Sequence, residues 1–149
     1  MRTTRRVAAV FLSVAAILAG CSAAHEERTL AGTSWQLVTI ESSDDEQGST
    51  EVPDPAKFTV EFGTDDRAVF QLDCNRGNGS YTVEPSADGV SGSVTFGPIA
   101  TTMMLCPQPS LDQEVATALE NVAGYLFQDD RLHLSLKADG GILTWQPAP

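Results

Sequence analysis

Histidine is nearly absent from this sequence, since its 149 residues include only His25 and His133. A Ser-His-Asp or Cys-His catalytic device needs a histidine held beside its nucleophile. His25 falls in a short polar segment near the N-terminus. His133 falls on the polar face of a predicted strand, together with Arg131, Ser135 and Lys137. A P-loop, an HExxH motif and a His/Cys cluster spaced for zinc are also missing. The sequence therefore predicts a protein that is not an enzyme and that uses no metal or other cofactor.

Basic residues are few as well. Nine lysines and arginines stand against 20 acidic residues, which gives a formal net charge of −11. The phosphates of nucleic acids and anionic lipid headgroups repel such a chain. We expect no nucleic-acid partner, and keeping the chain in solution is sufficient reason for the acidity.

No apolar run reaches the roughly 20 residues that a membrane-spanning helix needs. The longest, from Val7 to Ala19 with Ser13 as its one interruption, follows three arginines at positions 2, 5 and 6. A basic start before a short apolar stretch is typical of a secretory signal. A short anchor that is never cleaved is the alternative.

The run ends in Leu18-Ala19-Gly20-Cys21, which resembles the bacterial lipobox, where the cysteine is acylated and the chain is cut just before it. Ordinary cleavage after Ala24 is the alternative, and it would leave Cys21 without a role. We therefore expect a lipoprotein signal peptide at residues 1–20, a tether at 21–29 and one folded domain at 30–149. The protein is then exported and anchored to a membrane of the cell envelope through lipidated Cys21. Loss of residues 1–20 removes three arginines and no acid, so the formal charge becomes −14.

Two cysteines remain, Cys74 and Cys106. An even pair in an exported chain predicts a disulfide between them, with two buried free thiols as the alternative.

Most of the domain alternates apolar and polar residues with the period of a half-buried strand. About seven short strands are predicted, at residues 35–40, 58–62, 68–72, 81–83, 94–96, 132–136 and 142–145. The segment Glu41–Glu51 has no apolar period and is predicted to be a solvated loop. The glycine-rich stretch at residues 73–81 is predicted to be a sharp turn, and a calcium loop is the weaker alternative, because a non-glycine residue stands where that loop needs glycine.

One segment changes to helical spacing. Ser110 and Gln113 are placed as a capping box, and Gly124 as a stop. Between them one apolar face is predicted, made of Leu111, Val115, Ala118, Leu119 and Val122. We expect one helix of about three turns, packed on the sheet.

The order of several motifs resembles the META domain (HslJ-like) family across most of the mature chain. These motifs are Trp35, Cys74-Asn75, Gly79-Ser80-Tyr81, Phe96-Gly97-Pro98-Ile99, the run from Thr101 to Cys106, and the helix Leu111 to Leu119. Family members often carry arginine where this chain has Met103, which puts a charge-dependent role of that position in doubt.

The resemblance implies a mainly β fold, a partly open antiparallel β-barrel with one packed α-helix. It also implies an envelope lipoprotein, with some relatives linked to heat shock or antibiotic tolerance, and no catalytic residues to carry over. The fold is similar to that of lipid-binding pilotin lipoproteins, so an apolar cleft is expected.

The expected function is a non-catalytic envelope module, related to envelope stress, that binds an apolar ligand or a protein partner. The alternative is a small lipoprotein inhibitor of a lytic enzyme that presents the Glu41–Glu51 loop. Adjacent methionines can line an adaptable surface, although they more often fill a core. We predict the binding site between this segment and the helix, at Met103, Met104, Leu105, Leu111, Val115 and Leu119.

Overall fold

The computed structural model describes residues 27–43 and 48–149, which form one antiparallel sheet and one α-helix. The strands are β1 (Thr33–Glu41), β2 (Ser49–Glu51), β3 (Phe58–Phe62), β4 (Arg67–Leu72), β5 (Asn75–Pro85), β6 (Ser91–Phe96), β7 (Ala100–Thr101), β8 (Val122–Gln128), β9 (Arg131–Leu136) and β10 (Ile142–Pro147). The helix is α1 (Asp112–Glu120), and two short 3₁₀ turns cover Pro55–Lys57 and Lys137–Asp139.

Eight of the strands close into a barrel. Their order is β10-β9-β8-β6-β5-β4-β3-β1, and β1 pairs with β10 to complete the ring. The seam between β6 and β8 is short, with three residues of each strand paired, and α1 packs against β4 and β6. This arrangement confirms the predicted fold, a mainly β, partly open barrel with one helix.

The barrel interior is filled by apolar side chains from alternate strand positions. Trp145, Phe62 and Phe70 are the largest of them, and all three are almost fully buried. Val115 and Leu119 of α1 enter the same core.

The glycine-rich stretch is a strand, so the prediction of a sharp turn at residues 73–81 is wrong. The turn is confined to Asp73 and Cys74, and Gly77 and Gly79 lie inside β5. A Cβ atom at Gly77 would lie 3.0 Å from Thr101 Cγ2, and one at Gly79 would lie 3.2 Å from the carbonyl oxygen of Pro98. Glycine is used here because another segment crosses close to the strand, and not because the backbone turns.

The helix is shorter than predicted. It ends at Glu120, and Val122 and Gly124 belong to β8, where they pair with Leu136 and Ser135 of β9. The capping box is also wrong in detail, because Leu111 occupies the N-cap without a side-chain bond. The pattern of Val122 fits both a helix face and a strand face, and the pairing with β9 decides for the strand.

The predicted loop Glu41–Glu51 is partly a hairpin, since its last three residues form β2 and pair with residues 39–41 of β1. Sequence reasoning missed three strands. β2 and β7 have only three and two residues and show no periodicity, and β8 was missed because its first residue, Val122, was assigned to the helix.

The predicted signal peptide and Cys21 lie outside the described residues. Of the tether, residues 27–29 are described, and Arg28 is attached to the barrel. Its N–H donates to the carbonyl oxygen of Gly89, and its guanidinium pairs with Asp130 at 3.2 Å. No helix in residues 27–43 and 48–149 is long and apolar enough to cross a bilayer.

Candidate functional site

The methionine-containing segment before α1 lies at the surface. The exposed fractions are 94% for Met103, 64% for Met104 and 90% for Leu105. The alternative that these adjacent methionines fill a core is therefore wrong. We call these three residues the apolar segment. Its neighbours explain the exposure, because the chain between β7 and α1 is attached to the barrel edge by polar groups.

Asn75, at the start of β5, makes most of that attachment. Its Oδ1 accepts from the Met104 N–H at 2.8 Å and from Thr102 Oγ1 at 2.9 Å. Its Nδ2 donates to the carbonyl oxygen of Met104 at 3.0 Å and to Asp112 Oδ2 at 3.2 Å. One buried amide therefore holds both backbone groups of Met104 and joins them to the first residue of α1.

Covalent and backbone bonds hold the two ends of the segment. Cys106 is bonded to Cys74, the residue before Asn75, so the predicted disulfide is present. At the other end, the Arg76 N–H donates to Thr102 Oγ1 at 3.0 Å, and the Thr102 N–H donates to the Arg76 carbonyl oxygen at 2.9 Å. The apolar segment is thus a short bridge, with one end fixed to β5 at Arg76 and the other to the turn just before β5 at Cys74.

The start of α1 is tied to the same turn. Ser110 Oγ donates to Asp73 Oδ2 at 2.7 Å and accepts from the Asp112 N–H at 3.2 Å. The hydrogen bond from Ser110, assisted by Lys57 at 3.4 Å, lowers the pKa of Asp73 below its usual range. The carboxylate therefore stays charged at neutral pH and fixes the helix start against the barrel.

A groove of about 440 Å³ runs between the apolar segment and α1. Its floor and walls include Leu72, Asn75, Asp112, Ala116 and Thr117. Of the six predicted site residues, Met103, Met104 and Leu105 line this groove. Val115 and Leu119 point into the core with no exposed surface, and Leu111 is half-buried against that core. The structure therefore brings the segment together with the outer face of the helix, and not with its apolar stripe.

A second, more open groove continues from the first across the outer faces of β4 and β5. The two share Thr101 and Thr102, and the second is lined by Arg67, Val69 and Arg76. Arg67 Nη2 donates to Asn78 Oδ1 at 2.8 Å, and Val69 is 52% exposed. Sequence reasoning missed these residues. The available signal was the alternation in β4 and β5, which places Arg67, Val69, Arg76 and Asn78 on the outer face.

His133 lies away from both grooves, on the outer face of β9. Its Nδ1 is 3.2 Å from Thr144 Oγ1, and no carboxylate is hydrogen-bonded to its ring in the part of the chain that the structure describes. Among the same residues, no three His, Cys, Asp or Glu side chains are placed to hold a metal ion.

Comparisons with known proteins agree with this architecture. A family model described as the META domain matches residues 28–149. A protein from Burkholderia xenovorans, solved by NMR, has 26% identity and a TM-score of 0.62, and the match covers 80% of this chain and 83% of that one. A DUF4847 family protein from Bacteroides vulgatus has 14% identity and a TM-score of 0.51 over 80% of this chain and 95% of that one, which shows a shared fold alone. No curated protein matches the chain significantly.

Proposed function

This chain belongs to the META domain family, and from that premise we propose that it is a binding module whose ligand or partner contacts the apolar segment. The observation that carries the proposal is that three consecutive large apolar side chains are exposed on a backbone fixed at both ends. Exposed apolar patches on folded domains mark interaction sites more often than chance surface. A backbone that is already fixed loses little conformational entropy when a partner binds.

The polar groups around the groove support binding rather than catalysis. Asn75, Thr102 and Asp112 are hydrogen-bonded to one another or to the backbone of the segment. A catalytic site instead aims such groups at a substrate and holds a nucleophile beside a base. The groove polar groups serve to present the apolar segment.

The position of the segment fits a partner in the envelope space. The N-terminal part of the described chain is hydrogen-bonded to the barrel through Arg28, whose N–H donates to the carbonyl oxygen of Gly89. Gly89 lies just beyond the Pro85 end of β5. The apolar segment is attached to the Asn75 end of that strand. A strand of eleven residues extends over roughly 33 Å at about 3.3 Å per residue. With the anchor proposed at Cys21, the segment is therefore directed away from the attachment point.

The experiment compares what co-purifies with the native protein and with Met104→Asp. Because Met104 is largely exposed, the change should leave folding intact while it places a charge in the apolar surface. We expect mass spectrometry to show a lipid or protein that is lost from Met104→Asp and kept by the control His133→Ala. If His133→Ala abolishes biological activity while Met104→Asp does nothing, the binding proposal fails and catalysis on the outer face takes its place.

A further inference from the structure

We infer that the occupant of this surface is a polypeptide segment that carries apolar side chains next to carboxylates. The inference rests on the proposed function and names the chemistry of the partner. It follows from two arginines that line the groove adjoining the apolar segment, in a chain of net negative charge.

Arg76 is the first of these arginines. Its backbone is paired in both directions with Thr102, so the residue stands beside the point where the apolar segment begins. Arg67 lies on the neighbouring strand, where β4 and β5 pair Arg67 with Ser80 and Gln71 with Arg76. Both line the second groove, which adjoins the apolar segment through Thr101 and Thr102. An extended ligand lying across the two grooves would meet apolar side chains first and guanidinium groups next.

The two guanidinium groups are available to a partner. The ion pairs within residues 27–43 and 48–149 join Arg28 to Asp130 and Lys57 to Asp73, and neither involves Arg67 or Arg76. Arg67 donates to the neutral amide of Asn78. Asp65 also lines the second groove, at the Arg67 side. Arginine prefers planar carboxylates, which it binds through two parallel hydrogen bonds.

A polypeptide fits this surface better than an acyl chain or a second copy does. Both grooves are open at the surface. The barrel interior is occupied by core side chains such as Trp145 and Leu134. An acyl chain could therefore lie only on the surface of the described fold and could not enter the barrel. In a symmetric pair of copies, Arg76 would face Arg76 or its neighbours, and each chain carries a large negative charge. An apolar and acidic segment instead complements both parts of the surface at once.

The test measures fluorescence anisotropy of short labelled peptides with the full chain in a neutral detergent. The peptides share a leucine–phenylalanine core and are flanked by aspartates, asparagines or lysines. We expect the aspartate peptide to bind roughly tenfold more tightly than the lysine peptide, a difference of about 1.4 kcal/mol, because the aspartates would form exposed ion pairs with Arg67 and Arg76. Arg76→Glu should bring this ratio to about one, while the matched control Arg131→Glu, on the outer face of β9, should leave it unchanged.

The outcomes separate this inference from the proposed function. Equal binding of all three peptides, still lost in Met104→Asp, overturns the preference for carboxylates and leaves the binding function standing. Displacement of the aspartate peptide by monomeric dihexanoyl phosphatidylglycerol, with the same sensitivity to Arg76→Glu, overturns the inference in favour of an anionic lipid. Self-association that Met104→Asp abolishes in sedimentation experiments overturns it in favour of a second copy. Binding that neither Met104→Asp nor Arg76→Glu changes contradicts the proposed function itself.

Discussion

At the scale of single residues, Asn75 connects the parts of the candidate site. It is 5% exposed, and its amide bonds to Thr102, to both backbone groups of Met104 and to Asp112. The pair Cys74-Asn75 and the run from Thr101 to Cys106 are among the motifs by which the sequence resembles its family. The structure gives them a joint physical role, which is to hold the apolar segment at the surface.

Asn75→Ala should therefore destabilise the domain and release the segment. The change leaves several buried polar groups without partners, so we expect a loss of about 2–4 kcal/mol in the free energy of unfolding. Asn78→Ala, three residues along the same strand and exposed, should cost less than about 0.5 kcal/mol. Urea unfolding monitored by tryptophan fluorescence measures both, and equal effects would remove the special role of Asn75.

The lowered pKa of Asp73, at the turn beside Asn75, predicts that the stability of the domain depends on pH. Its hydrogen bond from Ser110 lowers its pKa, so its contribution to stability is present above its usual pKa of about 3.9 and is lost as the pH falls through the lowered value. Ser110→Ala should raise the pKa of Asp73. The variant should then lose less stability than the wild type when the pH falls below about 3.9. An NMR titration of the Asp73 carboxyl checks the shift, with Ser91→Ala as a control that leaves Asp73 unchanged.

At the scale of secondary structure elements, most of the barrel could be predicted, and the site could be predicted only in part. Strands such as β3, β4 and β9 alternate cleanly, because one face is buried and the other is solvated. The Gly77 and Gly79 region was misjudged, because a crossing segment selects glycine just as a turn does. The end of α1 was misjudged because Val122 suits either element. Exposure of Met103–Leu105 depends on Asn75 and Cys74, which lie about 30 residues away, so no local pattern could reveal it.

The disulfide is the element that fixes the far end of the apolar segment. The double change Cys74→Ser and Cys106→Ser opens a loop with a sequence separation of 32, and it should cost roughly 3.7 kcal/mol in the chain-entropy description. Amide hydrogen exchange should accelerate most at residues 102–106, while β9 and β10 exchange as before. Uniform acceleration across the barrel would show that the bridge stabilises the whole fold and does not hold the segment in particular.

At the scale of the whole molecule, the two ends of β5 carry different features. The described N-terminal residues attach near Gly89, beside the turn that follows one end of that strand, and the apolar segment is bridged to the other end. Arg67 and Arg76 line the groove that adjoins the segment, in a chain whose formal net charge is −11. The N-terminal attachment and the apolar segment therefore lie at opposite ends of β5, as the proposed anchor and the proposed binding surface require.

The proposed anchor is tested by Cys21→Ser. Without the thiol no acyl group can be attached, so the protein should accumulate as an unprocessed precursor or appear in soluble form. Cell fractionation and intact-mass measurement distinguish these products from the wild type. A variant that is processed and membrane-bound like the wild type would rule out lipidation at this residue.

The most direct test of the account is photo-crosslinking in intact cells, with benzoylphenylalanine in place of Met103 or, as a control on another exposed position, in place of Arg131. Because the apolar segment is proposed as the contact surface, position 103 should give a discrete crosslinked product that disappears when Arg76→Glu is added, and position 131 should give none. A product from position 131 with none from position 103, in chains that are both folded, would contradict the central claim that this domain binds through its apolar segment.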